Sequence, residues 1–235
     1  MTETLRLHYA PDNASLIIRL ALEELGLPYE TALVDRRNKA QHSKAYLALN
    51  PNGTIPVLET SDGTLFETAA ILMWLSEKTG KLSPEPGTPL RGAFLKWMFW
   101  CSNTFQIDLR YFFYPEKCIG EDEAHQAQVR KMFRQRIETD LDMLEHGLSQ
   151  TPGLAGAEPP TLLDLYVPCL VRWTTLYVDT ADQRWFELGQ YPTLYSVCAR
   201  AEGRASTLAA QNAEGLGPTP FTAPKLATPP EGSAT

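Results

Sequence analysis

Between residues 5 and 80 the apolar positions change period several times. LRLHYA (5–10) alternates as a half-buried strand does. SLIIRLALEELG (15–26) instead carries an apolar stripe through Leu16, Ile17, Leu20 and Leu25 and reaches Gly26, the pattern of an amphipathic helix with a glycine stop. ETALVD (30–35) reads as a second short strand and the run around KAYLAL (44–49) as a polar helix. Val57–Glu59 and Thr64–Phe66 read as two strands joined through Ser61-Asp62-Gly63, a hairpin-turn sequence. After Thr68, AAILMWLSEK has apolar residues at 71, 72 and 75 and Gly80 just past its end, as a helix should. The order βαβαββα closes into a small mixed sheet with helices on its faces.

KLSPEPGTP (81–89), with prolines at 84, 86 and 89, interrupts this pattern and marks a domain boundary. Beyond it no strand signal appears. Helix-period segments run over about 89–113, 122–147, 161–178, 182–188 and 192–209, which predicts an all-α second domain. Thr161-x-x-Asp164 opens one of them as a capping box with Asp in place of Glu or Gln. The expected division is an α/β domain over 1–81, a helical domain over 89–212 and a Pro-rich tail over 213–235. From Glu214 onward the last 22 residues contain five prolines and three glycines, the composition of a segment that packs loosely or not at all.

Composition narrows the chemistry. A chain of 235 residues can bury a core and divide in two, and a net charge of −7 argues against a nucleic-acid surface. The basic group Arg130, Lys131, Arg134 and Arg136 is followed by Glu138, Asp140, Asp142 and Glu145, and so reads as a solvated helix face. No run approaches the roughly 20 apolar residues of a membrane span, and MTETLRLHYA lacks a signal-peptide layout, so the cytoplasm is the expected compartment. Cys101, Cys118, Cys169 and Cys198 have no CxxC or metal-like spacing, which predicts free thiols and no metal.

NPNGTIPVLETSDGTLFET (50–68) holds the densest candidate chemistry. Pro56 forces Ile55 into an extended conformation and a turn. If Ile55-Pro56 is cis, the Ile55 N–H and C=O face outward and can bond an extended ligand like an added strand. Thr68 stands at a helix start, where free N–H groups and the dipole suit a carboxylate, and Glu67 can meet an ammonium beside it. An amino-acid zwitterion fits that pair. The plainer alternative is a capping threonine beside a solvated glutamate.

With NPNGTIPVLE and ETAAILMWL, the helix-opening TLLDL and the segment YPTLYSVCAR, residues 4–210 resemble a cytosolic glutathione S-transferase of bacterial type, similar to the beta, theta or nu groups. The resemblance implies a thioredoxin-like N-terminal domain, an all-α C-terminal domain, a homodimer, and glutathione as co-substrate without a metal. It implies that the Ile55 backbone holds the cysteinyl unit of glutathione, that Glu67 and Thr68 hold its γ-glutamyl end, and that Thr54 belongs to the same glutathione-binding set. Thiolate would then attack a hydrophobic electrophile or a peroxide. A thiol with a pKa near 8.5 needs help to ionise at neutral pH. The segment after the first strand, Tyr9-Ala10-Pro11-Asp12-Asn13-Ala14-Ser15, resembles the serine- and cysteine-type classes, with Ala14 where beta members carry cysteine. Ser15, through its hydroxyl at the helix start, and Asn13, through its amide N–H, are both candidates to hold the thiolate, and a plain N-cap or turn is the alternative for each.

Residues 94–114 hold nine aromatics in 21 positions, more than a helical core needs, so part of this surface is expected to line a greasy pocket or a dimer interface. On the family pattern Gln106, Tyr111 and Tyr114 are the second-substrate candidates. A non-catalytic glutathione S-transferase-like binding or regulatory protein is the competing reading.

Overall fold

A computed structural model describes residues 5–176 and 185–234, and the chain divides into two compact units, one of residues up to 82 together with 201 onward and one of residues 83–200. In the first unit, strands β1 (Leu5–Tyr9), β2 (Tyr29–Leu33), β3 (Val57–Thr60) and β4 (Gly63–Phe66) form one sheet in the order β2-β1-β3-β4. β1 runs parallel to β2 and antiparallel to β3, and β3 pairs antiparallel with β4. The alternation in β1 places Leu5, Leu7 and Tyr9 in the core. Helix α1 (Ser15–Leu25) buries Leu16, Ile17, Ile18, Leu20 and Leu22, and ends at left-handed Gly26 with the 6→1 bond from Leu27 N–H to the Leu22 carbonyl. α2 (Lys44–Leu49) supplies Tyr46 to a smaller cluster with Val34 and Val57. α3 (Thr68–Thr79) buries Ile71, Leu72 and Leu75 and stops at left-handed Gly80. The fold is the thioredoxin-like βαβαββα arrangement.

The first unit is finished by the far end of the chain. Helix α10 (Ala205–Glu214) packs on α1, where Arg204 and Ser206 both bond Glu24, at 2.6 Å and 2.7 Å. The tail, expected to be loose, is instead held against this unit. At Gly215 (φ 65°) an added Cβ would lie 2.1 Å from the Thr228 carbonyl oxygen, so only glycine admits the contact that lets Thr228 N–H bond the Gly215 carbonyl at 2.9 Å. Leu216 and Phe221 are buried, and the N–H groups of Phe221 and Thr222 both donate to Glu202 at 2.8 Å. Further on, the Tyr9 hydroxyl donates to Glu231, Arg36 bonds the Ala234 carbonyl at 2.6 Å, and Gly232 lies against Leu33 and Pro11. A few apolar anchors and capped backbone groups outweigh a composition that by itself predicts disorder.

The second unit is helical: α4 (Pro89–Trp100), α5 (Gln106–Phe113), α6 (Glu116–Ile119), α7 (Glu123–Ser149), α8 (Leu163–Leu176) and α9 (Pro192–Glu202), the last running into the first unit. The helix expected over 89–113 is interrupted by a π-helical segment at Cys101–Phe105, and the one expected over 192–209 breaks between α9 and α10 at Gly203-Arg204. The end of the expected 161–178 helix and the start of the 182–188 segment lie outside the described residues, and 188–190 form a single 3-10 turn. The predicted capping box is present: Asp164 accepts the Thr161 N–H at 2.7 Å and the Thr161 hydroxyl accepts the Leu163 N–H at 3.2 Å. Glu145 of α7 caps α9, taking the N–H groups of Thr193 and Leu194 at 2.9 Å.

Candidate functional site

The turn before β3 is built from inside. Ile55-Pro56 is cis, and neither the N–H nor the C=O of Ile55 is bonded among the described residues. Its neighbour Thr54 is fastened instead: its carbonyl accepts from the Tyr46 hydroxyl and from Asn50 Nδ2, each at 2.8 Å, and its hydroxyl oxygen takes Asn50 Nδ2 at 3.1 Å. Asn50 is fully buried, and burial pushes the Tyr46 phenol upward, so it stays a neutral donor at physiological pH. Tyr46 and Asn50 are positioning residues that sequence reading passed over. Asn50 opens the NPNG segment, in which the Asn52 N–H donates to the Asn50 side-chain oxygen at 3.0 Å.

Glu67 and Thr68 stand together at the start of α3. Glu67 has φ 73° and ψ 114°, a conformation that costs a non-glycine residue of order 1–3 kcal/mol and is found mainly where a site requires it. Its side chain is exposed and caps nothing. Thr68 is buried, its hydroxyl has no hydrogen bond among the described residues, and the first intrahelical bond beside it is Ile71 N–H to the Glu67 carbonyl at 3.0 Å. Among the described residues, the leading N–H groups of α3 are therefore unspent beside an unpaired carboxylate. That arrangement matches a carboxylate and an ammonium held by one atom.

At the other end, the turn after β1 separates the two thiolate candidates. Ser15 is fully buried, and its hydroxyl donates to the Ala10 carbonyl at 3.0 Å while accepting the Ala10 N–H at 3.2 Å. It closes the turn on itself, with its donor hydrogen directed at the Ala10 carbonyl. Asn13 is partly exposed. Its Oδ1 accepts the Ala14 N–H at 2.8 Å, its Nδ2 has no partner among the described residues, and its carbonyl accepts Leu16 N–H at 2.7 Å at the head of α1. Tyr9 does not compete, because burial and then the hydrogen bond to Glu231 push its phenol up.

On the helical unit, Gln106 accepts a hydrogen bond from the Tyr166 hydroxyl, Tyr111 stacks on Phe133 with centroids 5.3 Å apart, and Lys117 sits over the Tyr114 ring at 4.1 Å. All three are partly exposed. Of the aromatic run, Phe94, Trp97, Phe105 and Phe112 are core and Phe99 is exposed. Among the described residues no group of His, Cys, Asp and Glu is arranged to hold a metal, and no helix is long and apolar enough to cross a membrane.

Residues 14–78 match the family model described as "Glutathione S-transferase, N-terminal domain". Over 215 residues the chain is 29% identical to the disulfide-bond oxidoreductase YfcG of Escherichia coli (strain K12), with 86% of this chain and 91% of that protein covered. Among solved structures it is similar to BphK, a bacterial GST in a ternary complex, at TM-score 0.73 and 27% identity over 90% of this chain and 100% of that one. It shares its fold with a glutathione transferase homolog from Sulfitobacter with bound glutathione, at TM-score 0.75 and 23% identity over 90% and 98% of the two chains. Matched domain, sheet order and relatives agree: residues 14–78 carry a glutathione S-transferase N-terminal domain, and the chain shares the fold of the glutathione transferases.

Proposed function

We propose that this protein binds reduced glutathione and uses its thiolate to attack a hydrophobic electrophile. The observation that carries the reading is the pair at the head of α3, an unpaired Glu67 held at positive φ beside Thr68 and unspent helix N–H groups. The γ-glutamyl end of glutathione offers the matching ammonium and carboxylate. Ile55 bonds the cysteinyl unit through its unpaired N–H and C=O, while Tyr46 and Asn50 keep Thr54, and with it Ile55, in place. The thiolate then meets the Asn13 Nδ2–H and the positive end of α1, both of which favour the charged form. Tyr111 and Tyr114 are the candidates for contact with the electrophile, and the working form is a homodimer.

The experiment is a titration of bound glutathione followed by thiolate absorbance, alongside calorimetry. The expected result is a bound-thiol pKa below the ordinary value near 8.5 that rises by about one unit in Asn13→Ala. No binding at millimolar glutathione, or a bound thiol titrating as it does in water, rejects the mechanism. Binding with a lowered thiol pKa but no turnover on aryl halides, disulfides or peroxides favours the non-catalytic binding protein.

The similarity to a disulfide-bond oxidoreductase across most of both chains favours a second reading at the same site. There the bound thiolate attacks one sulfur of a small disulfide and expels the other as thiolate. A second glutathione resolves the mixed disulfide, so that two glutathione thiols are oxidised to glutathione disulfide as the substrate is reduced. Comparing turnover of a small disulfide with that of an aryl halide separates the readings.

A further inference from the structure

The turn that carries Asn13 is held from the other end of the chain. Asp12, next to Asn13, has φ 48°, an uncommon conformation for a residue with a side chain. Its N–H donates to Oε2 of Glu214, the last residue of α10, at 2.8 Å, and the other oxygen of that carboxylate accepts Arg19 Nε at 2.7 Å. Glu214 is fully buried and Arg19 is nearly so, with its guanidinium 4.6 Å above the Tyr9 ring and within 3.2 Å of the Tyr29 hydroxyl. Burial pushes the Glu214 carboxyl up, against the pull of Arg19 and of the Asp12 N–H. Both oxygens act as acceptors, which is the role of the ionised form.

A carboxylate buried beneath a loop is tolerated only when it is paired, and Glu214 takes one partner from α1 and the other from the turn itself, so it does more than join two helices. The joint itself is already made by Arg204, Ser206 and Glu24. We infer that Glu214 is a positioning residue for the thiol end of the site, fixing the Asp12 N–H and through it the direction in which Asn13 presents its amide. Arg19 has two tasks in this arrangement. It balances the Glu214 charge, and it keeps Asp12 and Glu214, two acidic residues behind the turn, from opposing a thiolate in front of it. The inference rests on the glutathione reading above.

The test uses the full chain and variants that leave no lone buried charge. Glu214→Gln with Arg19→Met keeps an oxygen acceptor for Asp12, whereas Glu214→Leu with Arg19→Met removes it at similar volume. The Leu/Met pair should raise the bound-thiol pKa and lower kcat at pH 7 about tenfold, one unit of pKa being a factor of ten. Its glutathione Kd, set chiefly at Glu67 and Thr68, should change less than about threefold. The Gln/Met pair should restore the parent pH profile, and adding Asn13→Ala to Leu/Met should give little further loss. A purely structural role lowers melting temperature in both pairs and leaves the pH profile alone, and that result overturns the inference. If Asn13→Ala shifts the thiol and Leu/Met does not, only the role of Glu214 falls. If Asn13→Ala shifts nothing, the thiol mechanism falls and the inference with it. Slow exchange of the Asp12 amide proton in the parent protein is expected independently of any variant, and fast exchange overturns the inference.

Discussion

The two ends of the candidate site are built on opposite plans. The side proposed to hold the peptide backbone of glutathione is local: Tyr46, Asn50, Thr54, Ile55, Glu67 and Thr68 lie within one stretch of chain, and the supports of its turn are neutral hydrogen bonds to one carbonyl. The thiol end is assembled over long range, from a turn at residues 10–15 held beneath by Glu214 and bordered by Gly232, and its support is a buried ion pair. Neutral local supports tolerate loss, because a neighbour still satisfies the same acceptor. A buried charge pair does not, because either partner left alone is desolvated and uncompensated.

The sharpest way to break this contrast is Arg19→Ala, which strands the Glu214 carboxylate and should cost about 3–5 kcal/mol of stability in urea unfolding. A loss under about 1 kcal/mol would mean that the pair is not the support described. Next comes Glu67, where two substitutions separate binding from strain. Glu67→Ala and Glu67→Gly should each weaken glutathione binding about tenfold or more by removing a charge-assisted contact, measured by calorimetry. Only Glu67→Gly suits φ 73°, so it should be at least as stable as the parent, whereas Glu67→Ala gains nothing of the kind. Equal melting temperatures for the two would argue that the backbone there is unstrained.

A buried carboxyl in the helical unit supplies the counter-example to Glu214. Asp140 is pushed up to about 7, first by burial and then by the neighbouring charge of Asp108, while Arg136 is committed to Asp108 through bonds of 2.7 Å and 3.1 Å. Unfolded, the same group ionises near pH 4, so its contribution to stability is complete below that value and is lost as pH rises through about 7. Asp140→Asn should therefore raise the melting temperature by a few degrees at pH 8 relative to the parent and have little effect at pH 4. Parallel melting curves across that range would refute the assignment. The smallest effect belongs to Tyr46→Phe. Asn50 still satisfies the Thr54 carbonyl, so the expected cost is about 1 kcal/mol of stability and a two- to threefold loss in glutathione affinity.

Legibility followed the same division. The βαβαββα order, the stops at Gly26 and Gly80, the capping pair Thr161 and Asp164, and Ile55-Pro56 with Glu67-Thr68 could all be read because each depends on residues a few positions apart. Ser15 against Asn13 could not be resolved that way. What separates the two positions structurally, the direction of the Ala10 carbonyl and a carboxylate some two hundred positions downstream, has no short-range signature. The tail misled for a related reason. Composition averages over many residues, while the segment is held by a handful: Leu216, Phe221, Glu231 and the narrow approach at Gly215. The π-helical segment at Cys101–Phe105 leaves no mark on periodicity, since one extra residue in a turn shifts the apolar stripe less than aromatic crowding blurs it.

One consequence concerns the order in which the protein is made. A ribosome delivers the sheet, α1 and Arg19 long before Glu214 and Phe221, so the nascent first unit holds an uncompensated guanidinium and an uncovered helix face while the whole helical unit is being synthesised. Its final closure must wait for the segment from residue 201 onward, and a protease assay on stalled chains should show resistance in that unit arriving late and in a single step once residue 214 has cleared the ribosome.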